Sequence, residues 1–399
     1  MRGAAGGANL LALRSHNTAL VLDLLRTAGG AGISRLELAE RTGLTPQAVS
    51  KITARLRGEG LAAEAGRRAS TGGKPRTVLR LVPGAGHALG VHLDRDELRA
   101  VLVDLDGTVV AERRAPLDLG AGAETVLEGV ARAAEELAAE GLGHLVAEDA
   151  RVPGAALAAA PSLLGLGVAL PGPLDHVRGV LHRITGFPGW DGYPLREALE
   201  RRLGVPVVVD KDTNAAALGL AVGGAGGGAA GAGGGAAGAG ARGGSFAYLH
   251  LGTGLGAGLV FGGGVHRGAR TGAGEFGHQV VQLDGPPCTC GARGCIEALC
   301  LAAVARGDLA EAARVLGTGA ANLAGLLDID LVLLGGRTVA AAPESFVHGV
   351  GAVLDARARR EGGHDGPVPV RLAPAGARGV AEGAAQLLLA PLFGRGEGG

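Results

Sequence analysis

Cysteine is scarce in this sequence, because the 399-residue chain contains only four. Four cysteines in so long a chain do not make the disulfide framework that is typical of a small secreted domain. The first residues, MRGAAGGANLLALRSHN, also lack the continuous apolar core and cleavage site of a secretory signal peptide. We therefore expect a cytoplasmic location, where the thiols stay reduced.

The sequence also lacks a long apolar run that is free of helix breakers. One uncharged stretch, GAALAAAPSLLGLGVALPGPL at residues 154–174, is interrupted by Pro161, Pro171, Pro173 and several glycines. In lipid such breakers would leave backbone groups without hydrogen-bond partners. We expect a loop followed by a short buried strand, LLGLGVALP, and no membrane span.

Composition predicts a folded chain with more than one domain. At 399 residues the chain is too long for one ordinary core, so two or three domains are expected. Its 76 glycines and 18 prolines approach the range of disordered proteins, yet 47% of the residues are hydrophobic. The glycine is concentrated in residues 222–244, VGGAGGGAAGAGGGAAGAGARGG, which have no large apolar groups for a core. We predict a flexible surface insertion there.

Net charge is zero, but the charges are unevenly distributed. Residues 1–80 carry 13 basic and 5 acidic residues, whereas the remainder carries 25 basic and 33 acidic residues. A basic segment on an acidic body predicts a polyanionic partner for the first part, because neutralisation of phosphates drives such binding. Charge alone also allows a solvated basic face.

Three helices are predicted in the basic segment. NTALVLDLLRTAG repeats apolar residues at helical spacing. SRLELAERTG begins with a capping box formed by Ser34 and Glu37 and ends at Gly43. TPQAVSKITARLRGEG begins with Thr45 as its cap and Pro46 at the first helical position.

The second and third helices, joined by TGLT, form a predicted helix-turn-helix. The third helix turns Val49, Ile52 and Leu56 inward, and its first turn would face base edges in the major groove. The following segment, LAAEAGRRASTGGKPRTVLRLV, predicts two strands with a basic tip, which is a wing that reaches phosphates or the minor groove. Three helices packed together without any DNA contact are the alternative. The predicted DNA contacts are Gln47, Ser50, Lys51, Arg67, Arg68, Lys74 and Arg76.

Alternating strands and helices follow from about Gly84, which predicts an α/β body. The strand segments include HALGVHLDRDELRAVLVD, VPVVVD, FAYLHLGTGLGAGLVF and DLVLLGG, and AETVLEGVARAAEELAAE is a helix. Glycine turns at strand ends commonly let the backbone approach a ligand, although one such turn is weak evidence by itself.

The segment GEFGHQVVQLDGPPCTCGARGCIE, residues 274–297, indicates a metal site. Cys288, Cys290 and Cys295 form C-x-C-x4-C, and with His278 they supply three thiolates and one imidazole, enough for a closed tetrahedral zinc site. A redox pair is disfavoured because Cys288 and Cys290 are too close in sequence for an easy bridge. Unpaired structural cysteines would leave the flanking glycines unexplained. Cys300 lies outside the set and is expected to be a small buried apolar residue.

This cysteine-rich segment and the preceding LGTGLGAGLVFGGGVHRGARTGA together resemble the signature of the ROK family of repressors, open reading frames and kinases. The resemblance covers most of residues 84–392 and includes GVALPGPLD, GWDGYPL, DKDTNAAALG and IDLVLLGG. It implies a two-lobed, actin-like (ribonuclease-H-like) fold of the sugar-kinase type. With a winged helix-turn-helix in front, the chain is similar to the sugar-responsive transcriptional regulators of the family.

The resemblance implies roles for individual residues. It assigns zinc to His278, Cys288, Cys290 and Cys295, and sugar hydroxyls to Glu275, His278 and Glu297. An Asn-Asp pair also holds the sugar in the family, and its aspartate is the general base of the kinases. Here the pair is Lys211-Asp212, so the base position is kept and its neighbour is changed. Lys211 would favour an anionic sugar or spoil binding; an ordinary salt bridge to a neighbouring acid is the alternative.

The phosphate loop of the family kinases is a second departure. Its Asp-Gly-Gly-Thr glycines admit ATP phosphates, but the aligned GVHLDRDELRAVLVD has His92 for the acid and Asp94-Arg95-Asp96 for Gly-Gly-Thr. Two carboxylates would repel the triphosphate, and the side chains would fill its space.

The sequence therefore predicts an α/β protein with a winged helix-turn-helix domain at residues 1–82, a zinc-containing effector domain at 83–392 and a flexible tail at 393–399. We expect a non-enzymatic repressor of sugar metabolism genes that binds operator DNA and a sugar or sugar derivative as a homodimer or homotetramer. Alternatives are a sugar kinase with a winged domain, which would need an intact phosphate loop, and a regulator that senses no ligand.

Overall fold

The computed structural model describes residues 16–70, 73–143, 157, 160, 162–184, 186–222, 244–362, 366–374 and 376–395. The predicted glycine-rich insertion therefore lies outside the described residues, apart from Val222 and Gly244 at its ends. No helix in the described part of the chain is both long enough and apolar enough to cross a membrane.

The first module is a winged helix. Its elements are α1 (His16–Ala28), β1 (Ile33–Ser34), α2 (Arg35–Thr42), α3 (Pro46–Gly58), β2 (Ala62–Ser70) and β3 (Gly73–Leu81). The strands form a small antiparallel sheet in the order β1-β3-β2, so β2 and β3 make the wing. The predicted helix-turn-helix with a wing is confirmed.

Local hydrogen bonds explain where α2 and α3 begin. The Ser34 hydroxyl accepts the N–H of Glu37, and the Glu37 carboxylate accepts the N–H of Ser34 at 2.8 Å, so the capping box is complete. The helix ends at Gly43, whose φ of +70° is a conformation that glycine adopts without strain. The Thr45 hydroxyl then caps α3 by accepting the N–H of Ala48.

The first lobe of the body is built on a five-stranded sheet. Its elements are β4 (His87–Leu93), β5 (Glu97–Asp104), β6 (Val109–Pro116), α4 (Ala123–Leu142), β7 (Leu163–Leu170), the hairpin β8 (Leu174–Asp175) and β9 (Val180–Leu181), α5 (Leu195–Leu203) and β10 (Val207–Lys211). The strand order is β10-β7-β4-β5-β6. Helix α6 (Asp212–Val222) follows β10 directly.

The second lobe repeats this topology. Its elements are β11 (Phe246–Leu251), β12 (Leu255–Phe261), β13 (Gly264–His266), α7 (Ile296–Ala305), α8 (Leu309–Leu327), β14 (Leu331–Gly335), α9 (Arg337–Ala341), α10 (Pro343–Glu361) and β15 (Val370–Leu372). The last helix, α11 (Gly379–Leu389), follows β15 and packs back on the first sheet. The order is β13-β12-β11-β14-β15. In each sheet three antiparallel strands are continued by two parallel ones, which is the predicted two-lobed fold.

Helices α6 and α11 pack against each other at very short range between the lobes. A Cβ on Gly383 of α11 would lie 1.9 Å from the carbonyl oxygen of Ala215 in α6. On the other side of α11, a Cβ on Gly167 of β7 would lie 1.8 Å from the carbonyl oxygen of Ala384. Only residues without a side chain permit this approach, so glycine fixes the position of α11 on the first sheet and on α6.

The chain after α11 packs against the winged helix. Residues Ala390–Phe393 form a short 3-10 helix beside α1, with Phe393 buried and the Arg26 guanidinium 4.3 Å from the centre of its ring. Arg395 then binds the Asp23 carboxylate at 2.8 Å. The predicted tail from residue 393 is therefore wrong for residues 393–395, because an aromatic side chain and an ion pair anchor them. The domain boundary near residue 82 stays a prediction.

Gly383→Ala should lower the free energy of unfolding by about 1–3 kcal/mol, because the new methyl group overlaps the α6 backbone. Gly351→Ala is the matched control: Gly351 also lies inside a helix, but its Cβ would meet no atom within 4 Å. That change should be neutral or raise stability by up to about 1 kcal/mol. Urea denaturation of both variants measures the difference, and equal stabilities would contradict the proposed close packing.

Candidate functional site

A cavity lies between the two lobes. Its volume of about 90 Å³ is well above the roughly 10–15 Å³ that a single water needs. The charged and polar side chains that line it come from both lobes: Arg95, Lys211, Asp212, Thr213, Thr253, Glu275, His278 and Glu297. The structure thus brings together all five residues that the sequence predicted to hold a sugar.

The first lobe contributes Lys211 at the end of β10 and Asp212 at the start of α6. The Lys211 side chain is only 3% exposed, and its ammonium group donates to the Ala273 carbonyl and lies 3.2 Å from a Glu275 carboxylate oxygen. Of the readings that the sequence left open for Lys211, the salt bridge is the one observed. Its charge is already compensated within the cavity wall, so it does not stand as a free receptor for an anion.

The second lobe contributes Glu275, His278 and Glu297. Two glycines let the Gly274–His278 segment lie directly on β12, because a Cβ on Gly274 would be 2.0 Å from the Ala257 carbonyl oxygen and one on Gly277 would be 2.2 Å from that of Leu255. Glu297, in the first turn of α7, accepts the Leu255 N–H at 2.8 Å through one carboxylate oxygen. This bond fixes the side chain at the cavity wall.

A buried ion pair ties the lobes beside the cavity. Asp210 of β10, whose side chain is 2% exposed, binds the Arg267 guanidinium at 2.7 Å and accepts a hydrogen bond from Asn214 at 2.9 Å. Nearby, His176 of the first lobe and the Thr271 hydroxyl of the second lie 2.8 Å apart. Sequence reasoning missed Arg267, because nothing local connects it to a strand 57 residues earlier.

The predicted metal ligands form a compact cluster. One ligand atom from each of His278, Cys288, Cys290 and Cys295 lies within 4.8 Å of the others. The Cys288 sulfur is 3.7 Å from His278 Nδ1, and the Cys290 and Cys295 sulfurs are also 3.7 Å apart. Tetrahedral ligands at zinc bond lengths lie about 3.7 Å apart, whereas a disulfide needs roughly 2 Å. The residues therefore fit a tetrahedral metal ion and do not form a disulfide.

Backbone geometry in the Cys288–Cys295 loop explains its glycines. Gly291 and Gly294 have φ values of +95° and +66°, and a Cβ on Gly294 would lie 1.6 Å from the Gln282 carbonyl oxygen.

Burial and the neighbouring Cys290 thiol raise the pKa of Cys295 to about 12, so a cation is needed to hold it as the thiolate that coordination requires.

Cys300 is fully buried in α7 and lies outside this cluster, as predicted. Its thiol donates to the Ala312 carbonyl oxygen at 3.5 Å. It therefore belongs to the packing between α7 and α8 and not to the candidate metal site.

The segment that aligns with the phosphate loop is the turn between β4 and β5. The sequence suggested that Asp94 and Asp96 are uncompensated negative charges. In the structure the guanidinium of Arg337 binds both carboxylates. Sequence reasoning missed Arg337, because it lies more than 240 positions after the two aspartates in the chain. The side chains occupy the turn as expected, but their charge is compensated.

Protonation states in this turn follow from the same contacts. Hydrogen bonding to Asp96 and Asp94 raises the pKa of Arg337, and the same bond lowers the pKa of Asp96. Burial opposes ionisation of Asp94, but hydrogen bonds from the Arg95 N–H and from Arg337 outweigh it and lower its pKa. Burial lowers the pKa of His92 despite the attraction of Asp212. The aspartates are therefore ionised near neutral pH and the imidazole is uncharged.

The predicted DNA contacts lie on the winged helix. Gln47, Ser50 and Lys51 are exposed at the start of α3, and Arg76 is exposed on β3. The backbones of Arg67, Arg68 and Lys74 belong to the wing strands, while their side chains lie outside what the structure describes. The roles of all these residues, and of the cavity and cluster residues, remain predictions.

Comparison with known proteins decides the family. The sequence model of the ROK family matches residues 88–306, which is more than half of the chain. The chain belongs to the ROK family. This confirms the resemblance that the cysteine-rich segment and the glycine turns suggested.

Individual relatives include both regulators and kinases. The chain is 27% identical over 265 residues to the xylose repressor of Bacillus subtilis, an alignment that covers 66% of this chain and 61% of that protein. The chain thus spans about 60% of the length of this relative. The ROK hexokinase from Thermus thermophilus, whose crystal structure is known, is 31% identical in sequence to this chain. The structural alignment has a TM-score of 0.55 and covers 75% of this chain and 96% of the hexokinase.

A ROK family transcriptional regulator described as a homolog of the E. coli MLC protein shares the fold over almost the whole length. The structural alignment covers 95% of this chain and 97% of that regulator, with a TM-score of 0.70 and a sequence identity of 20%. At this identity the likeness establishes the fold, including the segment in front of the two-lobed body, and nothing about ligands.

Proposed function

We propose that this ROK protein is a DNA-binding transcriptional regulator, a repressor of sugar metabolism genes, whose DNA affinity responds to a sugar or sugar derivative in the cavity between its lobes. The observation that carries the proposal is the winged helix: the first turn of α3 presents Gln47, Ser50 and Lys51 to solvent. Polar and cationic side chains at that place suit base edges in a major groove. A homodimer or homotetramer would occupy inverted half-sites.

The cavity supports a sugar as the effector. Carboxylates accept hydrogen bonds from vicinal hydroxyls, and an imidazole can donate one to a hydroxyl oxygen. Such groups surround one small space here: Asp212, Glu275, His278 and Glu297. Because these groups come from both lobes, a ligand that contacts all of them favours one lobe arrangement over others. Helix α6, which begins at Asp212, packs on α11, and the chain after α11 packs on α1. A continuous path of packed elements thus joins the cavity to the winged helix.

The cluster His278, Cys288, Cys290 and Cys295 would hold a structural zinc ion. Three thiolates and one imidazole complete a tetrahedral set and leave no open position for catalysis. Coordination through His278 Nδ1, the nitrogen near Cys288, leaves the proton on Nε2. His278 would then serve as a metal ligand and as a hydrogen-bond donor in the cavity that it lines.

Phosphoryl transfer is not part of the proposal. Catalysis of that reaction depends on placing and neutralising a triphosphate. In the turn between β4 and β5 the side chains of Asp94 and Asp96 stand where the kinases have glycine and threonine, and Arg337 is already bound to both carboxylates. A retained Asp212 has no placed phosphoryl donor to work with, so we assign it to sugar binding.

Lys51→Ala should relax the preference for one base position by about 1–3 kcal/mol, because a side chain that contacts a base edge is lost. Arg76→Ala should instead weaken binding to all sequences and reduce the salt dependence, as a phosphate contact does. Fluorescence anisotropy with duplexes selected from a random library measures both effects. The control is Arg314→Ala, an exposed arginine on α8, and identical, salt-insensitive binding by all four proteins would refute the DNA assignment.

Purified protein should contain about one zinc ion per chain, and Cys290→Ser should lose it together with thermal stability. Cys290 is the exposed ligand, so its replacement removes little packing. Cys300→Ser is the control, because that buried thiol lies outside the cluster and its variant should keep the metal. Elemental analysis provides the test, and wild-type protein without metal after purification under reducing conditions would contradict the site.

A sugar should raise the unfolding temperature without being phosphorylated. The test is a panel of xylose, glucose and glucuronate, assayed for thermal shift and for ATP-dependent phosphorylation. Glu297→Ala should weaken the shift; Glu311→Ala is its control, because Glu311 lies in the first turn of the next helix but away from the cavity. Sugar-stimulated ATP turnover that Asp212→Ala abolishes would establish a kinase and overturn the proposal.

A further inference from the structure

The ion pairs of Arg337 cross from one lobe to the other at the edge of the cavity. Arg337 is the first residue of α9 and is separated from the end of β14 by Gly336, and both aspartates lie in the β4–β5 turn of the first lobe. Its guanidinium forms a two-pronged contact with Asp96, at 2.6 and 3.0 Å, and the same group reaches Asp94. We call this set of Arg337, Asp94 and Asp96 the cross-lobe clasp.

The backbone of the second lobe is shaped to deliver Arg337 to this place. Gly336 has a φ of +95°, and a Cβ on it would lie 2.3 Å from the Leu251 carbonyl oxygen. A Cβ on Gly335 would lie 2.5 Å from the Tyr248 hydroxyl. Two glycines therefore let the start of α9 lie against β11, whose following turn carries Thr253. The Thr253 hydroxyl donates to Asp94 at 3.1 Å and adds a second contact between the lobes.

The clasp and the cavity share a wall. Arg95, between the two clasped aspartates, lines the cavity, and its N–H donates to Asp94 at 2.8 Å. Thr253 lines the cavity as well. If the lobes separate at the clasp, Arg95 and Thr253 move apart. Lys211 and Asp212 of the first lobe then also move away from the glutamates of the second lobe, Glu275 and Glu297. The width of the cavity therefore depends on whether the clasp is closed.

Two other ion pairs also join the lobes, Lys211–Glu275 and Asp210–Arg267, and each has one side chain that is at most 3% exposed. In the clasp, Arg337 and Asp96 are 45% and 63% exposed, and Asp94 is 17% exposed. Exposed ion pairs are worth little and are screened by salt. The clasp is the most exposed of these three ties, so lobe opening can break it reversibly while the Asp210–Arg267 pair holds.

We propose that Arg337 is a positioning residue of the effector cavity: by binding Asp94 and Asp96 it holds the two lobes in the arrangement in which their halves of the cavity face each other. Its effect on ligand affinity rests on the proposed sugar binding, whereas its effect on the lobes does not. Without the clasp the closed arrangement is populated for less of the time, and the apparent affinity for a ligand that needs both walls falls by the same factor.

Lobe opening is measured first, without ligand, by hydrogen–deuterium exchange of full-length protein. In Arg337→Gln the backbone amides of the 94–97 and 252–255 turns should exchange up to about five-fold faster, the most that an exposed ion pair provides. Raising the salt concentration should bring wild type towards the variant and leave the variant unchanged. Arg314→Gln is the control, since it removes a two-pronged arginine–carboxylate pair within α8 that does not cross between lobes.

Charge exchange separates a specific pair from a general loss of structure. The double variant Arg337→Asp with Asp96→Arg restores an ion pair between the lobes and should recover slow exchange, whereas each single change should not. Unchanged exchange in Arg337→Gln, or no recovery in the double variant while Arg314→Gln behaves as wild type, would overturn the clasp.

Ligand affinity is measured second, with whichever of xylose, glucose or glucuronate gives the largest thermal shift to wild type. The dissociation constant should rise by up to about five-fold in Arg337→Gln and return in the double variant. Equal or tighter binding by Arg337→Gln would refute the positioning role. If none of the three sugars binds wild type but exchange depends on Arg337, the clasp stands and the proposed sugar effector fails.

Discussion

The close approach of helices α6 and α11 is the constraint on which the rest of the molecule depends. Glycine at position 383 brings the α11 backbone against that of α6, and Gly167 seats the same helix on the first sheet. Because α6 begins with Asp212 in the cavity, the position of α11 also sets where one wall of the site lies. Larger residues at these contacts would push α11 away from α6 and from the first sheet. The chemistry of the site is thus built on a steric condition that involves no functional side chain.

The cavity differs in one respect from a simple arrangement of sugar-binding residues. Its charges are already paired across the gap, with Lys211 on Glu275 and Asp210 on Arg267 beside them. A ligand must therefore exchange existing hydrogen bonds for new ones, and only the difference between the two sets contributes to its affinity. We therefore expect the proposed effector to carry several well-placed hydroxyls and not a single strong charge. Arg337 acts in the same way at the turn between β4 and β5, where it neutralises two carboxylates that would otherwise repel each other.

Sequence reasoning succeeded where the signal was local and failed where it was distant. The capping box of Ser34 and Glu37, the metal-ligand spacing and the glycine turns all act within a few residues, and the structure forms them as expected. No local sequence pattern indicated the roles of Arg267 and Arg337, because their acidic partners lie far away in the chain. An arginine beside glycines is usually an exposed surface residue. Their roles emerge only when two lobes with separate sequences meet.

The contact between residues 390–395 and α1 has a consequence for how the protein is made. Arg395 and Asp23 are 372 positions apart, so the ribosome has synthesised almost the whole described chain before this contact forms. Loop closure over such a distance is slow compared with formation of the three helices of the winged module. The winged helix therefore gains this contact only after the chain of both lobes has been synthesised, which ties its completion to that of the two-lobed body.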